Sequence, residues 1–371
     1  MENKLIDNCI RLGFGMMRLP KKGGTKDIDL EQTAQMVDAF IAAGGKYFDT
    51  AFIYEGSEAA TKATLCDRYP RESYYLADKL NASVSRSEEE AKNQIHISLE
   101  RTGAGYIDFY LLHGIDEGNK DKFDRFGIWD YMRQLKQQGL IRHYGFSFHS
   151  TPEHLEQLLT DHPDVEFVQL QINYSDWDDA LICSRRCYDI ATRHGKPVIV
   201  MEPVKGGKLS DPPQAVKEVL QRAHPDASLA SWAIRFAASL PNVMMVLSGM
   251  SNMQQMEDNV SVMRPFQPLT EEEHQVLETA THALQQYADI ACTACHYCTP
   301  GCPMDIHIPE IFAVMNVYKM YGNLTEARNE YNWRPGGQKA STCIQCGQCE
   351  GACPQHLPII SLLEEVAGTL E

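Results

Sequence analysis

The chain alternates two kinds of hydrophobic pattern from Leu12 to Val262. Short runs rich in Val, Ile, Leu, Phe and Tyr predict strands over residues 12–19, 47–51, 74–80, 107–113, 143–149, 167–173, 198–204 and 243–249. Each run is followed by a longer stretch with apolar residues at helical spacing. The first of these, 29–44, carries Leu30, Met36, Val37, Phe40 and Ile41 on one face and stops at a Gly-Gly pair. Helices are predicted likewise over 57–69, 86–102, 127–138, 152–160, 179–194, parts of 213–240, and 252–262. Ser87-Glu88-Glu89-Glu90 resembles a capping box, and Pro152 suits a first helical turn. Eight strand–helix units in series, without adjacent hairpins, predict an α/β fold, a parallel (β/α)8 TIM barrel. An open doubly wound sheet is the alternative. Against it, Lys21-Lys22-Gly23-Gly24 after the first strand is no dinucleotide fingerprint.

A barrel of this kind places reactive groups at the C-terminal ends of its strands. Read in order, those ends carry Asp49, then Asp78-Lys79, then His113, then Ser147-Phe148-His149. Gln171, Asn173 and Tyr174 follow on the sixth strand, and Glu202 and Lys205 on the seventh. An acid, a cation and an imidazole thus come from three neighbouring strands, with Tyr54 five residues past Asp49. One such residue alone reads as a satisfied polar group; the constellation reads as an acid–base site. A phenol ordinarily ionises near pH ~10. An adjacent ammonium, Lys79, favours the phenolate and lowers that value, with Asp49 holding the ammonium in place.

Charge and composition narrow the picture. The net charge of −16 argues against non-specific binding to nucleic acid or an anionic membrane surface. The N-terminus lacks a basic-then-apolar leader, and no apolar run approaches the ~20 residues a membrane span needs, so the cytoplasm is the expected location. At 371 residues the chain can hold a barrel over 1–268 and a smaller domain over 269–371. Of twelve cysteines, eight lie between Cys292 and Cys353, and in a cytosolic chain clustered thiols read as metal ligands rather than disulfides.

Asp49-Thr50-Ala51 with Tyr54, Lys79 after an apolar strand, and Leu111-Leu112-His113 resemble the tetrad of the aldo-keto reductase family. So do Gly139-Leu140-Ile141-Arg142 running into Gly145-Phe146-Ser147, and Gly249-Met250-Ser251-Asn252 running to Asn259. The resemblance covers about residues 10–262. It implies an oxidoreductase that reduces a small-molecule carbonyl, or another polarised double bond, by hydride transfer. Tyr54 would be proton donor, Lys79 and Asp49 its partners, and His113 would position the carbonyl oxygen. It also implies a nicotinamide nucleotide, NADP or NAD, across the same rim. Ser147 and Gln171 would contact the carboxamide. Gly15, Met16, Met201, the segment Glu202, Pro203, Lys205 and Gly206, and the stretch Gly249, Ser251, Gln255 and Asn259 would line the rest. Four positions depart from the family pattern, all on the cofactor side. Met201 stands in place of a stacking Tyr and Phe148 in place of Asn, while Gly249 and Gln255 replace basic residues that read a 2′-phosphate. Lys205 and Lys208 are candidate compensating cations.

The cysteine-rich tail repeats one spacing twice. Cys292, Cys295, Cys298 and Cys302-Pro303 form a C-x2-C-x2-C-x3-C-P run, and Cys343, Cys346, Cys349 and Cys353-Pro354 form another. The pair resembles a two-[4Fe–4S] ferredoxin module. In that arrangement the fourth cysteine serves the other cluster, giving Cys292, Cys295, Cys298 and Cys353 to one and Cys343, Cys346, Cys349 and Cys302 to the other. Zinc is the alternative, but its sites usually split into two C-x2-C pairs. Helical patterns over 308–321 and 325–331 predict a mainly helical domain. Cys9, Cys66, Cys183 and Cys187 read as packing residues, the last two sharing a helix face. None of the remaining imidazoles reads as a functional residue first: His149 ends the fifth strand, where it could face the substrate, His143 belongs to the opposite rim, and His296 lies inside a cysteine loop.

Nicotinamide moves two electrons at once and each cluster moves one, and flavin is the usual converter. The clusters therefore imply relay to or from an external ferredoxin or flavodoxin, or a flavin at the rim in place of nicotinamide. The competing readings make the tail a redox- or oxygen-sensing or structural interaction module, or an electron carrier docked on the barrel.

Overall fold

The computed structural model describes residues 5–23, 25–333 and 335–371. Among them, eight parallel strands close into a barrel in chain order: β1 (Leu12–Gly15), β2 (Tyr47–Asp49), β3 (Tyr75–Leu80), β4 (Ile107–Ile115), β5 (Ile141–Phe148), β6 (Phe167–Gln171), β7 (Val198–Met201) and β8 (Val243–Ser248). β1 pairs with both β2 and β8, which excludes the open-sheet alternative. Several hydrophobic runs outlast their strands. Leu19, Ala51 and Ile172 are buried in loops beyond β1, β2 and β6, so the apolar pattern continues where the ladder has ended.

The helices follow the same logic. Ser87 caps Glu88–Thr102 by accepting from the Glu90 amide at 3.1 Å, while the Glu90 carboxylate reaches back to the Arg86 amide at 2.9 Å. Pro152 opens its helix as expected. The stretch 57–69 is α-helical only over Ser57–Thr61 and then widens into a π turn, Lys62–Cys66. The helix expected over 179–194 begins at Ser184. Cys183 is its left-handed N-cap, at φ 53°, and its carbonyl accepts from the Cys187 amide at 3.0 Å.

Alternate residues of each strand point into the barrel. The lower interior is filled by Tyr47, Phe109, Phe167, Ile199, Met245 and Leu247. Phe109 lies 5.2 Å from Tyr47 and 5.3 Å from Phe167, ring centre to ring centre. This crowding explains two inward glycines. A Cβ on Gly13 would sit 2.6 Å from Leu247, and one on Gly145 would sit 2.3 Å from the Phe167 carbonyl oxygen. With the bottom plugged by rings, the inward rows of β2, β3, β4, β5 and β6 end at the opposite mouth with Asp49, Lys79, His113, Ser147 and Gln171. His143 also points inward, but low in the barrel, where it packs on Phe109 at 5.2 Å and pairs with Glu166 at 2.8 Å.

The chain divides into two compact units: the described residues up to Ser210 with Ala227–Glu271, and Asp211–Asp226 with Glu272–Glu371. The second contains helices Ile308–Tyr321, Leu324–Trp333 and Ile359–Leu370, packed through Phe312, Val314, Met315, Tyr331, Leu363 and Val366. It is mainly helical. No helix among the described residues is long and apolar enough to cross a membrane.

Candidate active site and cysteine cavities

The barrel mouth is built around a buried ion pair. Lys79, 1 % exposed, donates to Asp49 Oδ1 at 2.5 Å and to the Thr50 carbonyl at 2.7 Å. Gln169, inward on β6, donates to the other Asp49 oxygen at 3.4 Å. Desolvating two charges costs several kcal/mol per ion, so the pair persists only because its remaining bonding capacity is met this way. Burial lowers the basicity of Lys79, but Asp49 and Tyr54 together outweigh it, and the ammonium is held above its usual range. Burial likewise raises Asp49, against the pull of Lys79.

Tyr54 reaches this pair from the loop after β2. Its ring lies 4.9 Å from the Lys79 ammonium and 5.6 Å from the His113 ring, edge to face. The expectation that Lys79 lowers the phenol's pKa is half of the balance. Burial is the larger effect, and the net direction is upward from 10.0. The hydroxyl therefore keeps its proton at neutral pH. His113 moves the other way, well below its usual 6.5, through burial and the nearby Lys79 and His149. Its Nδ1 is buried without a hydrogen-bond partner among the described residues. A neutral imidazole and a protonated phenol thus sit beside a fixed cation, an arrangement that can hold a carbonyl oxygen and give it a proton. His149 itself is exposed.

The rim residues fall into three groups. Ser147 is buried and its hydroxyl accepts from the Gly114 amide at 2.7 Å. Gln171 and Asn173 donate to Asp176, and Lys205 pairs with the same carboxylate. Met201 ends β7 beside Gln171, and Asn173 also donates to the Glu202 carbonyl at 3.2 Å. Glu202, Lys205 and Gly206 turn through left-handed backbone at φ 53°, 49° and 66° around buried Pro203. Across the mouth, Gly15 approaches Gly249, and Asn259 donates to Ser248 at 2.8 Å. The Ser251 hydroxyl donates to the Arg18 carbonyl at 2.7 Å, and the Ser251 amide donates to Gln255 Oε1 at 2.7 Å. The Ser57 hydroxyl donates to the carbonyl of buried Met16 at 2.9 Å.

Three contributors escaped the sequence reading. Gln169 shares the inward row of Gln171, and strand alternation alone would have found it. Asp176 lies in an acidic stretch, Asp176-Trp177-Asp178-Asp179, that reads as a solvated turn; nothing in the pattern marks it as buried. Arg18 lays its stem along Gly249, where a Cβ would come within 3.4 Å of it.

In the second unit, Cys292, Cys295, Cys298 and Cys353 line one cavity, and Cys302, Cys343, Cys346 and Cys349 line another. His296 lines the first. The backbone repeats itself around them. Ala294, His296 and Asp305 are left-handed in the first loop, and Gln345, Gly347 and His356 are left-handed at the matching positions of the second. Cys302 and Cys353 donate to the carbonyls of Thr299 and Glu350, and each loop then opens a helix, at Ile308 and Ile359. Left-handed residues between cysteines turn successive amides toward one point, the concavity that suits anionic iron–sulfur clusters. Burial pushes the thiols of Cys292 and Cys349 up and that of Cys298 to about 11. Thiolates in such surroundings need positive charge from a bound metal. No three His, Cys, Asp or Glu side chains among the described residues converge on a single-ion site. Two sets of four thiols around separate cavities fit cubane clusters.

Comparison with known proteins agrees with this division. The profile of the aldo/keto reductase family matches residues 11–281, and that of a 4Fe-4S dicluster domain matches 291–357. A Mycobacterium aldo-keto reductase is 28% identical over 239 residues, covering 64% of this chain and 79% of its own. The holo form of aldo-keto reductase AKR11C1 from Bacillus halodurans superposes with a TM-score of 0.57 at 25% identity, over 73% of this chain and 91% of that one. An aldo-keto reductase from Klebsiella pneumoniae in complex with NADPH shares the fold at 18% identity, with a TM-score of 0.57 over 72% and 89%.

Proposed function

The chain belongs to the aldo/keto reductase family and is an oxidoreductase with a 4Fe-4S dicluster domain, and from that premise we propose that it reduces a small carbonyl compound at the barrel mouth, with Tyr54 as proton donor. The observation that supports this most directly is the buried Asp49–Lys79 pair beneath Tyr54 and His113. His113, neutral, binds the carbonyl oxygen and aligns it with the phenol. Tyr54 gives its proton to that oxygen as negative charge develops. The Lys79 ammonium then stabilises the phenolate left behind, and Asp49 keeps the ammonium in place. Neither ion has to move, because both are fixed before substrate arrives.

A nicotinamide nucleotide bound along the rim would supply the hydride. Ser147 and Gln171 would hold its carboxamide, and the segments Glu202–Gly206 and Gly249–Asn259 the rest. Lys205 is drawn into the pair with Asp176. NADP and NAD are both compatible with this rim. In the tail, Cys292, Cys295, Cys298 and Cys353 would hold one [4Fe–4S] cluster, and Cys302, Cys343, Cys346 and Cys349 a second. Bound clusters would supply one-electron transfer, for which an external ferredoxin or flavodoxin is the partner we propose.

Anaerobic purification followed by cofactor extraction tests the whole assignment. The expected result is about eight irons per chain, from two four-iron clusters, with nucleotide-dependent reduction of model aldehydes. Bleaching of the cluster absorbance by reduced nucleotide would support relay between the two chemistries. Full carbonyl turnover with no bleaching would favour a structural or sensing role for the tail, and flavin in the extract would replace nicotinamide as the hydride donor.

A further inference from the structure

Just beyond β6, one carboxylate organises everything around it. Asp176 is 1 % exposed. Its Oδ2 accepts from Gln171 Nε2 at 2.8 Å and from Asn173 Nδ2 at 2.8 Å. The Asp176 amide donates back to Asn173 Oδ1 at 2.9 Å, and the Lys205 ammonium pairs with Oδ1. Burial works against ionisation here, but Lys205, Gln171 and Asn173 outweigh it, so the carboxyl stays below its usual range and is charged.

An ionised carboxylate only accepts hydrogen bonds. That removes the ambiguity of the neighbouring side-chain amide. Gln171 must turn its NH2 toward Asp176, so its Oε1 faces away. Gln171 is the last inward residue of β6, two positions above Gln169, whose amide reaches Asp49 inside the barrel. No described residue donates to Gln171 Oε1. The mouth therefore presents, at this point, a preset acceptor.

We infer that Asp176 is a positioning residue: it fixes Gln171 as a hydrogen-bond acceptor and so selects a cofactor ring that carries an N–H donor there, as the carboxamide of nicotinamide does. The inference rests on the nicotinamide reading above. It adds a rule for which ring is accepted, and it gives Lys205 a task other than binding phosphate, that of keeping Asp176 ionised.

The test compares two nucleotides that differ only at the donor. NADP+ carries a carboxamide; its 3-acetylpyridine analogue carries a methyl group in place of the NH2. Affinities are measured by anaerobic titration calorimetry on the full-length holoprotein. The wild type is expected to bind NADP+ roughly tenfold more tightly, the cost of leaving one acceptor unpaired. Asp176→Asn allows the Gln171 amide to turn and donate to the acetyl oxygen, so the preference should narrow to within about twofold. Gln171→Met has no amide to orient and should narrow it as well, which keeps the test usable if Asp176→Asn does not fold. A merely structural Asp176 would weaken both nucleotides alike and leave their ratio unchanged, and that result would overturn the inference. Equal binding of the two by the wild type would also overturn it while leaving the nicotinamide reading intact. Binding of neither nucleotide, in the NADP+ pair and in the matching NAD+ pair alike, would overturn both.

Discussion

The barrel mouth and the cysteine cavities solve opposite problems. At the mouth, the buried charges beneath Tyr54 and Gln171 meet partners from the protein itself. Lys79 has Asp49 and the Thr50 carbonyl, Asp49 has Gln169, and Asp176 has Lys205 and two amides. In the tail, eight thiols are gathered by left-handed turns and apolar helices, and burial raises the pKa of several of them. The first site is complete in its electrostatics before any ligand binds. At the second, burial keeps several thiols protonated, and their ionisation becomes favourable only when positive charge is added. Preorganisation would serve the proposed proton transfer, whereas ligand-dependent assembly is the ordinary state of a metal-built domain.

The largest expected difference is therefore in what survives removal of iron. Anaerobic chelation should unfold much of the second unit, because its apolar core is small and its loops converge on the cavities. The barrel should persist. Limited proteolysis and far-UV circular dichroism, before and after chelation, would read this. Protection of Ile308–Tyr321 that survives without iron would show that the helices pack independently of the cavities, and the contrast would fall.

Next in size is Tyr54→Phe. Losing the proton donor should lower kcat for carbonyl reduction by about 10²–10⁴-fold, while visible absorbance from the clusters stays unchanged. Retained turnover would mean that another group protonates the substrate.

Much of this contrast is legible in the linear chain, for different reasons in the two regions. Cysteine spacing is a local signal, and the two runs mark both cavities, down to the crossing of Cys302 and Cys353 between them. The barrel and the mouth residues Asp49, Lys79 and His113 are visible because strand–helix alternation tells where each strand ends. What the pattern hides is reach across the fold. Asp176 sits in a polar run yet is buried by the segment around Lys205, and Arg18 meets Gly249 from the far end of the first unit. The direction of Tyr54's shift is hidden too. Sequence gives the neighbouring ammonium but not how deeply the phenol is enclosed, and enclosure wins.

A third prediction sharpens the claim that the mouth is self-sufficient. Lys79→Met leaves Asp49 buried without its counter-ion and should destabilise the barrel by about 3–5 kcal/mol. The double change Asp49→Asn with Lys79→Met removes the orphaned charge and should recover most of that loss, though not the activity. Equal destabilisation of the single and double variants in denaturant titrations would mean that the packing of Lys79, rather than its pairing, matters.

The smallest expected effect comes from pH, and its sign follows from the shifts at the mouth. His113 lies well below its usual 6.5 in the folded chain, so it is neutral there. Once unfolded, it binds a proton below about pH 6.5. The unfolded state then holds more protons than the folded one, so stability should fall as pH drops from 6.5 toward the folded value. The slope would be at most about 1.4 kcal/mol per pH unit. His113→Asn should flatten that slope in thermal scans. Tyr54 titrates above 10.0, so neither group changes charge between about pH 6.5 and 10. A plateau in kcat/KM over that interval is the expected profile. A decline with an apparent pKa between 7 and 9 would show instead that Lys79 draws the phenol down in the working enzyme. The mouth would then be held as a phenolate–ammonium pair, and it too would depend on a bound ligand to settle its charge.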